Sequence, residues 1–186
     1  MKIVSSRFLV LNIVSILCFT LLSSALTAAR DFSVLIDPGH GGENFDPPGA
    51  DAYLNGIHYY ERNLNLDYAN NLYTKIDNNS EHPFLAFQTR IADVEIANSD
   101  RAKMANNYSG TERDANDDPI PTGGVDIFLS IHCNGAAADN PGTETLYYET
   151  SNAGMKLATI VHQFFMKSIR GVFPSASSRW IKYKDI

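Results

Sequence analysis

Apolar and polar positions along the chain predict strands and helices in alternation. Short apolar runs predict four strands, at 32–36, 84–90, 125–134 and 144–148. Apolar residues at helical spacing predict three helices, over 62–77, 94–106 and 153–169. This alternation favours a layered α/β fold, in which helices flank a mixed, mostly parallel sheet in a single domain.

Two polar stretches interrupt this pattern. Residues 43–60 are rich in proline, glycine and asparagine, which predicts an irregular loop that forms one wall of a cleft. Residues 107–124 have no periodicity, and we expect a mobile loop without a specific role. The run at 125–134 is almost continuously apolar, which is typical of a central strand covered on both faces.

The first 29 residues have the pattern of a cleaved signal peptide. Lys2 and Arg7 lie around the start of an uncharged apolar run from Phe8 to about Leu22, and small residues follow up to Ala29. A membrane anchor is the alternative, but the run is shorter than the roughly 20 residues that a span needs. We therefore expect an exported protein, periplasmic or extracellular, with no stable membrane anchor after cleavage.

Charge and cysteine content narrow the classes of function. Cleavage removes two basic residues and no acid, which leaves 13 basic and 21 acidic residues and a net charge of −8. This acidity argues against nucleic acid or anionic lipid as a partner.

The two cysteines have different expected fates. Lipidation at Cys18 is a minor alternative to simple cleavage of the signal peptide, because the preceding residues match a lipoprotein cleavage site poorly. Cys133 then remains alone and forms no internal disulfide.

Three candidate metal ligands occupy comparable places in the predicted elements. His40 lies in the turn D-P-G-H-G-G after the first strand, Glu61 at the start of the first helix, and His132 at the carboxyl end of a strand. Such ends converge on one cleft in a doubly wound sheet. Two histidines and one carboxylate leave the fourth position of a tetrahedral zinc ion open, which is the catalytic arrangement.

Each candidate also has an ordinary structural interpretation. His40 fits a turn residue, Glu61 a carboxylate at a helix N-terminus, and His132 a hydrogen-bonded core histidine. Cys133 is a weak ligand candidate, because neighbouring strand side chains point to opposite faces and it would point away from a metal that His132 faces. Spacing alone leaves both interpretations open.

Six short motifs occur in order along residues 30–186. They are I-D-P-G-H-G-G at 36–42, Y-E-R-N-L-N-L at 60–66, Q-T-R at 88–90, R-A-K-M-A-N at 101–106, F-L-S-I-H-C-N at 128–134 and G-T-E-T-L-Y-Y at 142–148. On these residues the chain resembles the zinc-dependent N-acetylmuramoyl-L-alanine amidases, the amidase type 3 family of cell-wall hydrolases.

The resemblance implies an enzyme with one zinc ion. His40, Glu61 and His132 match the family's three zinc ligands. The implied substrate is peptidoglycan or muropeptides, cut at the amide between N-acetylmuramic acid and L-alanine. Family members also carry a general-base glutamate on a strand after the last helix. Residues 179–186 resemble the segment leading to that strand, so we expect the glutamate beyond Ile186 and the catalytic domain at 30–186 to lack its last strand.

Four further residues are candidates for contacts around the metal or the substrate. Asp37 can orient His40 through its second ring nitrogen or serve only the turn at the strand end. Asn134 can contact substrate or steady its loop. Arg90 and Arg101 can bind an acidic stem peptide, although surface solvation or a structural ion pair is the simpler interpretation for each.

Two other functions remain compatible with the sequence. One is a catalytically inactive homologue, without the general-base glutamate, that binds the cell wall or a regulatory partner. The other is a zinc peptidase on the same scaffold.

Overall fold

The computed structural model describes residues 31–43, 49–81, 84–133 and 142–184. The predicted signal peptide, Asn134 and Ile186 lie outside these ranges. In chain order the elements are β1 (Phe32–Pro38), β2 (Asp51–Leu54), β3 (Ile57–Tyr60), α1 (Glu61–Asp77), β4 (Phe84–Gln88), α2 (Asn98–Asn106), β5 (Ile127–Ile131), β6 (Thr143–Tyr148), α3 (Asn152–Val172) and β7 (Ser178–Lys184).

The main sheet is parallel and has the order β4-β1-β5. Residues 32–36 of β1 pair with 84–88 of β4, and residues 34–38 pair with 127–131 of β5. The chain leaves β1 to form β4 on one side and later returns to form β5 on the other. β1 is therefore the point where the strand order reverses, and its carboxyl end opens on a cleft.

Helices cover both faces of β1. Val34 and Ile36 pack on one face against Ala69 of α1. Leu35 points to the opposite face and packs with Met104 of α2. These alternating contacts bury six of the seven β1 residues, as expected for a strand between two helical layers. The predicted α/β fold, with mostly parallel strands flanked by helices, is confirmed.

The predicted central position of the strand at 125–134 is wrong. β5 pairs only with β1 among the described residues, and every second residue of β5 is exposed. Phe128 has 44% of its surface accessible. A long apolar run does not show how many strands will pair with it, because that number depends on elements distant in sequence.

The predicted irregular loop at 43–60 contains a hairpin. β2 and β3 pair in antiparallel fashion, and Tyr53 lies opposite His58. Asn55 and Gly56 connect them with φ angles of 52° and 79°. Positive φ at both positions of an Asn-Gly pair is the backbone of a two-residue hairpin turn. The Asn-Gly signal was present in the sequence, but two strands of four residues are too short to show clear periodicity.

The polar stretch at 107–124 packs against the main sheet. Ile120 is 3% exposed and belongs to the core cluster around Leu35. The buried Asn107 side chain donates a hydrogen bond to the Ile120 carbonyl. The Asp114 carboxylate accepts from the backbone N–H groups of Asn116 and Asp118, which closes a tight turn. The stretch therefore has a packing role that its composition did not indicate.

The last three elements form a second parallel pair with its own helix. β6 pairs with β7, and α3 connects the two strands. Residues 179–184, expected only to lead toward a strand, lie within the strand β7 itself. His162 of α3 contacts Thr145 of β6 at 3.1 Å and Ser178 of β7 at 2.8 Å, which joins the three elements.

One face of α3 exposes large apolar side chains. The accessible fractions are 53% for Ile160, 67% for Phe164 and 51% for Phe165. Among the residues that the structure describes, no helical segment combines the length and hydropathy of a membrane span.

Candidate metal centre

The register of β1 and β5 brings two histidines to the same end of the sheet. Pro38 pairs with Ile131, and the Gly39 N–H donates to the Ile131 carbonyl at 2.9 Å. His132 directly follows β5, and His40 lies two residues after the end of β1. Their imidazole rings lie edge to face with centroids 4.9 Å apart.

Glu61 completes the cluster from the start of α1. Its Oε1 atom lies 3.3 Å from Nε2 of His40 and 3.1 Å from Nδ1 of His132. One ligand atom from each of the three residues lies within 4.8 Å of the other two. The three predicted ligands therefore meet in space, although they are separated by 21 and 71 positions in sequence.

Backbone N–H groups and neighbouring side chains fix the Glu61 carboxylate. The Ala50 N–H donates to Oε2 at 2.7 Å, and the Cys133 N–H donates to Oε1 at 3.0 Å. Burial by itself raises the pKa of Glu61, but the hydrogen bonds and the nearby histidines outweigh it and lower the pKa to about 2. Glu61 is therefore an anion at neutral pH and is oriented by segments outside its own helix.

Two glycines make room for the ligands. A Cβ atom on Gly39 would lie 2.2 Å from Cε1 of His132, and one on Gly49 would lie 3.0 Å from the His40 ring. Gly49 also has φ of 83°, which favours glycine. Sequence reasoning used the glycines only as turn markers and missed that the ligands approach this closely.

Asn65 is a further buried polar residue beside the cluster. It lies one helical turn after Glu61, and its amide donates to the Gly39 carbonyl at 3.2 Å. It is completely buried. In the sequence, Asn65 stands four positions after Glu61 and four before Ala69, so the three residues lie on one face of the helix. This spacing was the signal that could have identified Asn65.

The Cys133 side chain lies beside Asn65 and does not join the cluster. Its sulfur is 3.4 Å from Oδ1 of Asn65. Burial and the negative charge of Glu61 raise the pKa of the thiol.

Asp37 does not contact the His40 ring, contrary to one of its two predicted roles. The hydroxyls of Thr89 and Ser130 donate to its carboxylate at 2.6 and 2.7 Å. Arg101 also forms an ion pair with it. Asp37 lies within β1, so its side chain contacts residues of the adjacent strands and not the ring of His40 in the following turn.

Arg90 and Arg101 are buried rather than exposed to solvent or substrate. Their accessible fractions are 1% and 5%. Both guanidinium groups donate to backbone carbonyls of the turn that contains His40. Of the three predicted interpretations, only the structural ion pair describes their position, and only for Arg101.

The donor set fits a zinc ion. Two imidazole nitrogens and one carboxylate oxygen match the composition of three-ligand zinc sites. Tetrahedral ligands at zinc bond lengths lie about 3.4 Å apart. The distances from Oε1 of Glu61 to the nitrogens of His40 and His132, 3.3 and 3.1 Å, are close to this value. No second carboxylate joins the cluster within the described ranges. Glu144 lies elsewhere, 2.6 Å from Lys182 and 3.5 Å from Arg179.

Comparison with known proteins assigns the family. The family model for N-acetylmuramoyl-L-alanine amidase matches residues 34–177, well over half of the chain. The chain is also similar to the crystal structure of an N-acetylmuramoyl-L-alanine amidase from Clostridium difficile 630. The TM-score is 0.60 and the identity 26%, over 84% of this chain and 71% of that chain. No curated protein matches the sequence. The chain belongs to the N-acetylmuramoyl-L-alanine amidase family.

Proposed function

We propose that this amidase is a zinc-dependent hydrolase of peptidoglycan. The bond cut is the amide between N-acetylmuramic acid and the L-alanine of the stem peptide, as the family description suggests. The observation that carries the proposal is the meeting of His40, Glu61 and His132 at the carboxyl ends of two parallel strands. This is the edge where α/β enzymes bind substrate.

Each ligand contributes a distinct property to the site. Glu61 supplies negative charge, held as an anion by the Ala50 and Cys133 amides. His40 and His132 supply two imidazole nitrogens, which lie 3.3 and 3.1 Å from the Oε1 atom of Glu61. Zinc, when bound, supplies Lewis-acid activation of water and of an amide carbonyl. The exposed side of the site is the His132 ring, of which 51% is accessible, so substrate approaches from there.

A cysteine mechanism is disfavoured by the position of Cys133. Its thiol has a raised pKa and faces Asn65. A thiolate nucleophile needs a lowered pKa and an adjacent base. Cys133 therefore serves the site through its backbone N–H, which orients Glu61.

Zinc analysis of the purified chain tests the metal centre. We expect about one zinc ion per chain and its loss in the His40→Ala, His132→Ala double variant. His58→Ala is the matched control, because His58 stacks on Tyr53 in the hairpin and lies outside the cluster. Absence of zinc from the wild type, or unchanged zinc in the double variant, contradicts the proposal.

Product analysis on defined muropeptides tests the bond that is cut. An amidase separates the intact stem peptide from muramic acid, whereas a zinc peptidase cuts within the peptide. A zinc-loaded chain that binds peptidoglycan without releasing either product would be an inactive wall-binding homologue. Each of the two alternative functions thus has its own outcome in the same assay.

Peptidoglycan lies outside the plasma membrane, so the proposed substrate requires export. We infer that residues 1–29 provide the signal and that the mature chain is periplasmic or extracellular. The family supports this location because its substrate is a cell-wall polymer. The mass of the secreted protein should correspond to a start at residue 29 or 30, and a retained leader would contradict the inference.

A further inference from the structure

The His40 backbone adopts a conformation that favours glycine. Its φ angle is 59°, and the two residues after it, Gly41 and Gly42, also have positive φ. A non-glycine residue in this region is strained, and such strain persists only where surrounding contacts hold it. The backbone of a candidate metal ligand therefore needs a specific restraint.

Arg101 contacts this strained backbone directly. Its Nη2 atom donates to the His40 carbonyl at 2.8 Å, and Nη1 donates to the Pro38 carbonyl at 3.0 Å. The same side chain bonds the Ile96 carbonyl through Nε and the Asp37 carboxylate through Nη1. The planar guanidinium group of Arg101 thus contacts both Pro38, at the start of the turn, and His40, the candidate metal ligand.

Arg90 holds the same turn from the segment that follows β4. Its Nε donates to the Pro38 carbonyl at 2.9 Å, and its Nη2 donates to the Gly39 carbonyl at 3.0 Å. Nη2 also reaches the carbonyl of Arg62, the residue after Glu61, at 2.8 Å. This contact links the turn of one candidate ligand to the helix that begins with another.

Burying two adjacent cations is unfavourable without a compensating function. Asp37 is the carboxylate that pairs with Arg101. Within the described part of the chain, Arg90 forms no ion pair with a carboxylate and donates to carbonyl groups instead. If packing were the only requirement, apolar side chains of similar volume would stabilise the fold as well as the two arginines do. The successive carbonyls of residues 38–40, however, need several donors in fixed directions, which a planar guanidinium provides.

We propose that Arg90 and Arg101 are positioning residues for the metal centre. We call this pair the arginine clamp. It holds the carbonyls of Pro38, Gly39 and His40 so that the His40 ring meets Glu61 and His132 before a metal binds. The inference rests on the proposed zinc function and extends it to residues that do not touch the metal.

Substitutions of Arg101 in the full chain test the clamp. Arg101→Lys keeps the charge but loses the planar fork, and Arg101→Gln removes the charge. Ser33→Ala is the control, because Ser33 is equally buried and hydrogen-bonds Asp126 at the opposite end of β1. Zinc affinity is measured by competition with a chelator, cobalt(II) absorption reports ligand geometry, and thermal unfolding without metal reports the fold.

We expect Arg101→Lys to unfold cooperatively, to bind zinc roughly 10- to 100-fold more weakly, and to shift the cobalt(II) absorption bands. Ser33→Ala should lower the melting temperature while its zinc affinity stays within about twofold of the wild type. Arg101→Gln should weaken zinc binding at least as much as Arg101→Lys does.

The inference is overturned if folded Arg101→Lys binds zinc as tightly as the wild type, with unchanged cobalt(II) bands. It is also overturned if Ser33→Ala loses as much affinity, or if neither Arg101 variant folds, because the arginines would then serve the fold in general. Wild-type protein that binds no zinc contradicts the proposed function itself. Normal wild-type binding with unaffected variants contradicts the clamp alone.

Discussion

At the scale of single residues, the centre depends on one anion held by backbone groups. Glu61 is 5% exposed, and its carboxylate accepts from the N–H groups of Ala50 and Cys133. Both donors come from segments outside α1. Tertiary contacts therefore stabilise the charged form of Glu61. As a result, the stability of the fold should depend on pH in a predictable direction.

Acid should destabilise the metal-free protein through Glu61. The pKa of Glu61 is about 2 in the folded chain against an ordinary 4.5. Its stabilisation is therefore complete above pH 4.5 and is lost as the pH falls through the folded value. The contribution at neutral pH is on the order of 3 kcal/mol. Urea unfolding with a chelator present should show a wild-type advantage over Glu61→Gln that shrinks below pH 4.5. If the difference in stability between the wild type and Glu61→Gln does not change with pH, the lowered pKa of Glu61 is wrong.

Gly39→Ala should weaken metal binding without unfolding the chain. The new Cβ would overlap the His132 ring, whose exposed half allows it to turn toward solvent. We expect the zinc dissociation constant to rise at least about 10-fold, because one of three ligands is displaced. Gly171→Ala is the control, since no atom lies near that position. Equal zinc affinity for both variants would show that the Gly39 contact has no importance.

At the scale of elements, the hairpin of β2 and β3 fixes the entry to α1. The Glu61 N–H donates to the Ala50 carbonyl at 2.8 Å, just before β2 begins. Tyr60 ends β3, and the guanidinium of Arg62 stacks 4.3 Å from its ring centroid. The hairpin thus ends beside the carboxylate ligand.

Gly56→Ala should cost about 1 kcal/mol of unfolding free energy. Gly56 has φ of 79° and no neighbouring atom near a new Cβ, so the cost comes from the backbone alone. Asn55→Gly is the matched control and should be nearly neutral, because φ at that position is 52°. Chemical denaturation measures both variants. A neutral Gly56→Ala would show that the turn is not formed in solution.

The apolar face of α3 should bind a hydrophobic dye. Ile160, Phe164 and Phe165 each expose more than half of their surface, and such patches bind apolar probes. We expect Phe164→Ser to lower the fluorescence of bound anilinonaphthalene sulfonate in the folded chain. Lys167→Ser, a polar change on the same helix, should leave it unchanged. Equal fluorescence from the wild type and Phe164→Ser would place the dye elsewhere.

At the scale of the whole molecule, metal binding and folding should be linked. The three ligands come from different segments and meet only in the folded chain. Free zinc at about 100 times its dissociation constant adds about 2.7 kcal/mol of stability. For a chain of this size the melting temperature should rise by roughly 5–10 °C.

His40→Ala is the control for this linkage. It should show a much smaller rise with zinc, because the ligand set is incomplete. Differential scanning calorimetry at several zinc concentrations measures the effect. A wild-type melting temperature that does not depend on zinc would mean that the folded chain has no metal site.

Local patterns in the sequence were enough to predict much of the fold. β1 was predicted from its apolar run, and α1 ends at Asp77, the predicted end of the first helix. The three candidate ligands were also identified from local signals: a glycine-rich turn, a helix start and the residue after a strand. These features depend on near neighbours in sequence, which is the information that periodicity and turn residues contain.

Other features depended on contacts between distant residues, so only the tertiary structure decided them. Arg90 and Arg101 are charged, and charged residues are usually exposed. Their burial follows from a turn whose carbonyls face them across the sheet edge. The sequence by itself determined the three helices, the strands β1, β4, β5 and β6, and the residues that can bind metal. Strand order and register decided that His132 stands beside Gly39 and meets Glu61, because a parallel sheet aligns strand ends that are far apart in the chain.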